Sequence, residues 1–291
     1  MEYAEIGIIG GTGFYEMQGI ENAHTIHMKT PFGSPSEKIL LGKIAGRSVA
    51  FLSRHGIGHR LSPSEINYRA NLFAMKMLQV ERLISISAVG SLKEEIKPMD
   101  LVIPDQYVDH TYKREKTFFQ EGVVAHISFA DPVCPQLSEI AWQSANKAGL
   151  AVHRGGTYCN MEGPQFSTKA ESHANRQLGF SLIGMTQVVE AKLARELELC
   201  FLPLAFVTDY DCWHPDHESV TVEMVVQNLH LNAGNAEKLI RLLAADIPPV
   251  RTACTCARAL ATSIMTNPIS IPGKTYKNLE IIIGKYIKDR I

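Results

Sequence analysis

Residues 200–213, CFLPLAFVTDYDCW, combine an apolar run with two acidic residues at its end. The run at 200–206 is bounded by a turn and therefore predicts a buried strand. Side chains at positions i and i+2 of an extended chain point the same way, so Asp209 and Asp211 are expected side by side. The fold should therefore carry a pair of carboxyl groups at the end of a central strand.

Similar short apolar runs alternate with helical patterns along the rest of the chain. Strands are predicted near 5–10, 38–43, 47–53, 83–87, 155–161, 181–185 and 200–208, and helices near 64–79, 136–148, 168–178, 188–197, 221–245, 252–264 and 275–289. This alternation predicts an α/β fold whose mixed, mostly parallel sheet has helices on both faces. Without repeats or Gly/Ser linkers, residues 1–291 are expected to form a single domain with a helical C-terminal segment at about 250–291.

The charge balance argues against several classes of partner. The 291 residues include 29 basic and 30 acidic side chains, whereas nucleic-acid binders usually carry excess positive charge. No apolar run approaches the ~18 residues of a membrane span, and the acidic start MEYAEIGIIGG is unlike a signal peptide. We therefore expect a cytoplasmic protein that binds neither nucleic acid nor membrane.

Polar and small residues follow four of the predicted strands. The segments are Gly10-Gly11-Thr12-Gly13, Ser53-Arg54-His55-Gly56, Ser87-Ala88-Val89-Gly90-Ser91 and Gly184-Met185-Thr186. In α/β sheets ligands bind beyond the carboxyl ends of the strands. Three hydroxyls and one guanidinium suit the many acceptor oxygens of a phosphate ion. Each segment alone is equally typical of a tight turn or a surface arginine, so the prediction rests on their combination.

Two clusters in the sequence contain potential metal ligands or redox groups. One residue separates Cys254 from Cys256, a shorter spacing than zinc sites usually have, so free thiols or a disulfide remain as alternatives. Cys212, His214, Asp216 and His217 crowd together without a second ligand pair at a fixed spacing. We predict no metal site and reduced thiols at the remaining cysteines.

Several motifs together resemble one enzyme family. They are IGIIGGTG, TPFGSPS, RHG with the later NYRAN, SLKEEIKPMDLVIPDQ, EGPQFST and VTDYDCW, in this order. The chain resembles the 5'-methylthioadenosine phosphorylases, within the trimeric purine nucleoside phosphorylases. The resemblance covers about residues 5–230 and is looser over 250–291. It implies the nucleoside phosphorylase fold, a homotrimer or a dimer of trimers, and no cofactor, with inorganic phosphate as co-substrate.

The resemblance also implies roles for individual residues. The phosphate-site positions are Thr12, Arg54, His55, Ser87, Ala88 and Thr186, with Ser87 where many relatives have Thr. Met185 matches the residue beside the ribose, and Met161 and Phe166 match residues that flank the purine. Val220 and Val225 match neighbours of the 5'-alkylthio group. His126 matches a histidine that the adjacent subunit contributes. Gln165 and Gln187 depart from the residues that are common at their positions.

The two aspartates complete this interpretation. Negative charge develops on the purine as its bond to the sugar breaks, and a protonated carboxyl beside N7 can neutralise it. We assign this acid to Asp209, and expect Asp211 to accept from the exocyclic amine. Burial beside a second carboxylate should raise the pKa of Asp209. The alternative is a pair of carboxylates that merely caps the strand end.

The predicted reaction is phosphorolysis of 5'-methylthioadenosine to adenine and 5-methylthioribose 1-phosphate. A 6-oxopurine nucleoside or methylthioinosine phosphorylase is the nearest alternative. Oxopurine-specific relatives have Glu and Asn at two base-reading positions that correspond to Ser167 and Asp209 here, which favours adenine. A nicotinamide-dependent oxidoreductase is disfavoured because Glu16 replaces the third glycine of the dinucleotide fingerprint. A non-catalytic nucleotide-binding module remains as a third alternative.

Overall fold

The computed structural model describes residues 2–11, 19–251 and 254–287. Its strands are β1 (Ile6–Gly10), β2 (Glu21–Ile26), β3 (Ile39–Ile44), β4 (Arg47–Ser53), β5 (Arg82–Ser91), β6 (Leu101–Ile103), β7 (Gln106–Asp109), β8 (Val152–Arg154), β9 (Thr157–Asn160), β10 (Leu182–Gly184) and β11 (Cys200–Asp209). Its α-helices are α1 (Tyr68–Met77), α2 (Pro135–Lys147), α3 (Lys169–Gln177), α4 (Gln187–Glu196), α5 (Val222–Asp246) and α6 (Gly273–Ile283).

The strands form a mixed sheet with β5 at its centre. β5 pairs in parallel with β1 on one side and with β11 on the other, and β1 also pairs in parallel with β4. The C-terminal end of β5 instead pairs antiparallel with β10, which continues the sheet through β9 and β7. On the side opposite β11, the pairing of β5 with β1 ends at Ser85 and its pairing with β10 begins at Gly90, which leaves a gap in the sheet along residues 86–89.

Two apolar layers cover the two faces of the sheet. Neighbouring strand residues point to opposite faces, so Ile9 packs in the layer that contains α1, α4 and α6, whereas Ile8 packs in the layer of α2 and α5. Burial on both faces explains why these strands are continuous apolar runs. The predicted α/β fold with a mixed sheet and helices on both faces is confirmed.

Local signals misplaced two of the predicted helices. α1 begins at Tyr68 rather than near residue 64, because Asn67 caps it by accepting from the N–H of Ala70 at 3.1 Å. The predicted helix at 252–264 is wrong, since its described part contains only the short 3-10 turn Thr255–Arg258. Ile264 instead pairs with Ala125 through an isolated bridge. Among the described residues, no helix has the length and apolar character needed to cross a membrane.

Candidate active site

A cavity of about 1040 Å³ lies where β1, β4, β5, β10 and β11 end. Its wall contains twelve of the residues that the sequence analysis selected: Arg54, His55, Ser87, Ala88, Met161, Phe166, Met185, Thr186, Asp209, Asp211, Val220 and Val225. Thr12 lies outside the described residues. The structure thus brings together side chains from segments that are up to 171 positions apart in the sequence, Arg54 and Val225 being the most distant.

The two aspartates reach the cavity by a different geometry from the one expected. β11 ends at Asp209, and Asp211 has a positive φ of 54°, so the two are not alternate residues of one extended strand. The chain turns back, and the N–H of Asp211 donates to Asp209 Oδ1 at 2.8 Å. The hydroxyl of Thr208 donates to Asp209 Oδ2 at 2.7 Å. Both oxygens of the Asp209 carboxyl group therefore accept a hydrogen bond, which fixes its orientation.

Burial raises the pKa of both carboxyl groups. The pKa of Asp209 is about 7, chiefly because the side chain is buried, with a smaller contribution from the charge of Asp211; the donors at Thr208 and Asp211 oppose the rise. Burial also raises the pKa of Asp211, against the influence of the nearby Ser172 and Ser167 hydroxyls. Asp211 Oδ2 is buried and has no hydrogen-bond partner among the described residues. Asp209 thus offers a proton, and Asp211 offers an acceptor oxygen that a ligand could satisfy.

A glycine makes room for the Asp209 carboxyl. Gly90 pairs with Asp209 across β5 and β11, at a register shift between Val207 and Asp209. A Cβ atom on Gly90 would lie 2.8 Å from Asp209 Oδ1, closer than such contacts normally allow. The absence of a side chain at position 90 therefore lets this carboxyl lie against the neighbouring strand at the cavity wall.

Arg54 is buried at the cavity wall, but its guanidinium group already donates hydrogen bonds to other protein groups. Nε and Nη2 donate to the two carboxylate oxygens of Glu190 at 2.5 and 2.9 Å. Nη2 also donates to Ser85 Oγ at 2.9 Å, and Nη1 donates to the Ile86 carbonyl at 3.0 Å. The bidentate clamp expected for phosphate is thus made with Glu190. One N–H of Nη1 has no partner among the described residues, and a Cβ atom added to Gly11 would lie 2.8 Å from this nitrogen.

His55 faces the cavity as a neutral ring. Burial, together with the adjacent Arg54 charge, lowers the pKa of His55 to about 3. Its Nδ1 lies 2.8 Å from the Leu61 carbonyl oxygen, which can only accept, so Nδ1 carries the hydrogen. Nε2 is then an acceptor. The ring stacks on His59, with 4.1 Å between the ring centroids.

Two hydroxyls complete the polar end of the cavity. Ser87 lies within β5, which continues to Ser91 instead of ending before Ala88, and its buried Oγ has no partner among the described residues. Thr186 is buried at the start of α4 and its side chain makes no capping hydrogen bond. The N-terminus of a helix favours an anion, and the hydroxyls of Ser87 and Thr186 can donate to one.

Apolar side chains form much of the remaining wall. Met161, Met185 and Phe166 line the cavity, as do Val220, which precedes α5, and Val225, which lies in its first turn. Val226, Leu229 and His230 of α5 also line the cavity, which the sequence analysis missed. The spacing of these three residues in the sequence predicts an amphipathic helix. It does not indicate which face of that helix borders a cavity.

Two predicted residues stand apart from the cavity lining. Ser167 lies beside Asp211 without lining the cavity, and its carbonyl accepts from the Cys212 thiol at 3.3 Å. His126 is exposed, and its backbone N–H donates to the Ser263 carbonyl at 2.8 Å. Gln187 is buried and donates to the Ser85 carbonyl at 2.8 Å, so this departure from the family is accommodated within the core.

Comparisons with known proteins agree with this geometry. The model of the phosphorylase superfamily matches residues 5–245. The S-methyl-5'-thioadenosine phosphorylase of Koribacter versatilis is 55% identical over 99% of this chain and 98% of its own length. The protein of the same name from Geobacter sulfurreducens is 51% identical over 97% of this chain and 99% of its own.

Solved structures show the same likeness. A methylthioadenosine phosphorylase from an antarctic soil metagenomic library is 46% identical, with a TM-score of 0.91 over 97% of this chain and 99% of its own. The methylthioadenosine phosphorylase of Schistosoma mansoni, solved with adenine, is 32% identical, with a TM-score of 0.80 over 83% of this chain and 91% of its own. The chain therefore belongs to the phosphorylase superfamily, in the family of the S-methyl-5'-thioadenosine phosphorylases.

Proposed function

We propose that this protein catalyses the phosphorolysis of 5'-methylthioadenosine to adenine and 5-methylthioribose 1-phosphate. The observation that carries the proposal is Asp209, a buried carboxyl at the cavity wall whose pKa of about 7 keeps it partly protonated at neutral pH. A leaving purine needs such an acid. The names of the relatives point to the same substrate.

The phosphate would bind at the polar end of the cavity. The hydroxyls of Ser87 and Thr186 and the remaining N–H of Arg54 can donate to its oxygens. His55 Nε2 can accept a hydrogen bond from the hydroxyl of a phosphate monoanion. We assign Arg54 mainly an electrostatic role, because its Nε and Nη2 already donate to the carboxylate of Glu190. Thr12 and the backbone of Ala88 stay in the proposed phosphate site on the family resemblance.

The purine would bind at the opposite end, against the aspartates. Asp209 would donate to N7 and Asp211 would accept from the exocyclic amine, which satisfies its unpaired Oδ2. Met161 and Phe166 would cover the faces of the ring, with Ser167 supporting Asp211 from behind. Met185 would contact the ribose, and Val220 and Val225 would surround the methylthio group, for which an apolar wall is suitable.

The proposed reaction balances without a cofactor. A phosphate oxygen forms a bond to C1' of the sugar while the bond from C1' to N9 breaks, and the electron pair of that bond passes to the purine. Asp209 gives its proton to N7, so adenine leaves as a neutral molecule. Phosphate loses one proton when it becomes the sugar phosphate ester, and this proton restores the acid form of Asp209 through solvent.

The exposed position of His126 supports a proposal about assembly. Its segment does not line the cavity of its own chain, yet the family resemblance places this histidine at the 5' end of a pocket. We propose a homotrimer, or a dimer of trimers, in which His126 reaches the cavity of the adjacent subunit. The expectation of a cytoplasmic location also stays a prediction.

One assay tests the proposed reaction. The purified protein is incubated with 5'-methylthioadenosine, with and without inorganic phosphate, and free adenine is measured by chromatography. We expect adenine and an equal amount of sugar phosphate only when phosphate is present. Adenine release that does not depend on phosphate would show a hydrolase. Absence of release in both reactions would contradict the assignment.

A further inference from the structure

Four cysteines from three parts of the chain meet in the core, away from the cavity lining. They are Cys134, Cys200, Cys254 and Cys256, here named the thiol cluster, and their Sγ atoms all lie within 4.8 Å of one another. Cys134 precedes α2, Cys200 begins β11, and the other two belong to the C-terminal segment. All four are free thiols, and Cys254 alone is not fully buried.

We propose that the thiol cluster binds one soft metal ion, with Zn²⁺ as the first candidate. Zinc prefers four sulfur ligands in a tetrahedron with Zn–S distances of about 2.3 Å, which places the sulfurs about 3.8 Å from one another. The mutual distances of at most 4.8 Å, with 3.2 Å between Cys200 and Cys254, surround that value. Small adjustments of side-chain torsions would therefore complete the site.

The convergence of four sulfurs on one point favours an ion over simple core packing. A thiol is a weak donor and a weak acceptor, so thiols gain little from being packed together. The single residue between Cys254 and Cys256 is a shorter spacing than zinc sites usually have, which disfavoured a metal in the sequence. Four-coordinate zinc also needs a second pair of ligands. The fold supplies that pair from Cys134 and Cys200, which are 66 positions apart.

Charge at the site is partly compensated by the protein. Binding of a divalent ion releases four thiol protons and leaves a complex with two negative charges. Cys134 lies at the N-terminal end of α2, whose dipole favours negative charge, and the N–H of Leu137 points to its sulfur. The surrounding apolar layer, to which Cys134, Cys200 and Cys256 belong, excludes water that would compete for the ion.

The location indicates a structural role. Cys200 and Asp209 are at opposite ends of β11, which places the thiol cluster roughly 30 Å from the catalytic acid at ~3.3 Å per residue. The ion would join the C-terminal segment to the start of the central strand and to α2. Its loss should therefore loosen residues 254–287 while the chemistry at the cavity stays intact.

The test measures metal content and stability. The protein is prepared from zinc-supplemented medium, and its metal is measured by elemental analysis and by native mass spectrometry. We expect one ion per chain, and tetrahedral thiolate charge-transfer bands after replacement by Co²⁺. Cys254→Ser should lose most of the metal. Cys159→Ser, which removes a buried cysteine outside the thiol cluster, should retain it.

Two further measurements distinguish a bound metal ion from free thiols and from disulfides. Removal of the ion by a chelator should lower the melting temperature of the unsubstituted protein by several degrees and leave that of Cys254→Ser unchanged. Adenine release should continue at a similar rate below the melting temperature. A native mass without metal would overturn the proposal. Thiols that titrate as free groups would then show a reduced cluster, and a mass lower by two hydrogens per bond would show disulfides.

Discussion

Asp209→Asn should abolish the pH dependence that the buried acid gives to phosphorolysis. An ordinary Asp, with a pKa of 3.8, is protonated in roughly one molecule in 1,600 at pH 7, whereas a pKa of about 7 leaves half of the molecules protonated. The environment of Asp209 therefore increases the population of the acid form on the order of 10³-fold. The ionisation of this acid should therefore appear in the pH profile of kcat/KM as a fall in rate above pH 7, here called the alkaline limb.

The assay is the rate of adenine release at saturating phosphate across the neutral range of pH. In the unsubstituted protein, kcat/KM should be level below pH 7 and fall about tenfold per pH unit above it. Asp209→Asn should be slower by ~10²–10⁴-fold and lose this limb, because an amide cannot protonate N7. Ionisation of phosphate falls in the same range but is common to every variant, so the comparison isolates Asp209.

Thr208→Val provides a graded perturbation of the same carboxyl. The Thr208 hydroxyl donates to Asp209 and holds its pKa down, so its removal should move the alkaline limb to higher pH. A rate profile of Asp209→Asn that keeps the alkaline limb would refute the assignment of the acid. So would a Thr208→Val profile that moves to lower pH.

The pKa of Asp209 also affects the stability of the folded protein, which can be measured without substrate. The folded pKa of Asp209 is raised, so the stability it contributes is present below its unfolded pKa of about 4 and is lost as the pH rises through 7. Asp209→Asn should therefore melt above the unsubstituted protein at pH 8, with a smaller difference at pH 5. Glu196→Gln is the matched control. Burial raises the pKa of Glu196 to about 7 at the far end of α4, so it should alter stability but not the rate profile.

Three further predictions concern the salt bridge, the base and the assembly. Arg54→Ala should lower the free energy of unfolding by ~3–5 kcal/mol in denaturant titrations, because Glu190 is left buried and unpaired; Arg154→Ala, which breaks a half-exposed pair, should change it by less than ~1 kcal/mol. Methylthioadenosine should be preferred over methylthioinosine by on the order of 100-fold in kcat/KM, since an ionised Asp211 would repel a 6-carbonyl; equal turnover would contradict this. Light scattering should give three or six times 32.2 kDa, and His126→Ala should raise KM without changing that mass; an active monomer would exclude the shared pocket.

The sequence alone determined seven of the eleven strands that the described residues form, most of the helices, and the residues at the ends of the central strands; β2, β6, β7 and β8 were missed. These properties follow from local periodicity, because a short apolar run flanked by turn residues is typical of a buried strand. The family motifs then gave the substrate class. The residues Arg54, Ser87, Thr186 and Asp209 could be selected because ligands bind at the carboxyl ends of strands, a rule that needs no coordinates.

The tertiary structure decided how these groups are held. Glu190 engages Arg54 although 136 positions separate them, and the positive φ of Asp211 turns its carboxyl away from an extended strand. The thiol cluster joins the Cys254 and Cys256 pair to two cysteines that are isolated in the sequence. Such contacts depend on which strands become neighbours and on where burial removes water. Local patterns do not encode either property, so the pKa of Asp209 and the partner of Arg54 emerge only when the sheet is assembled.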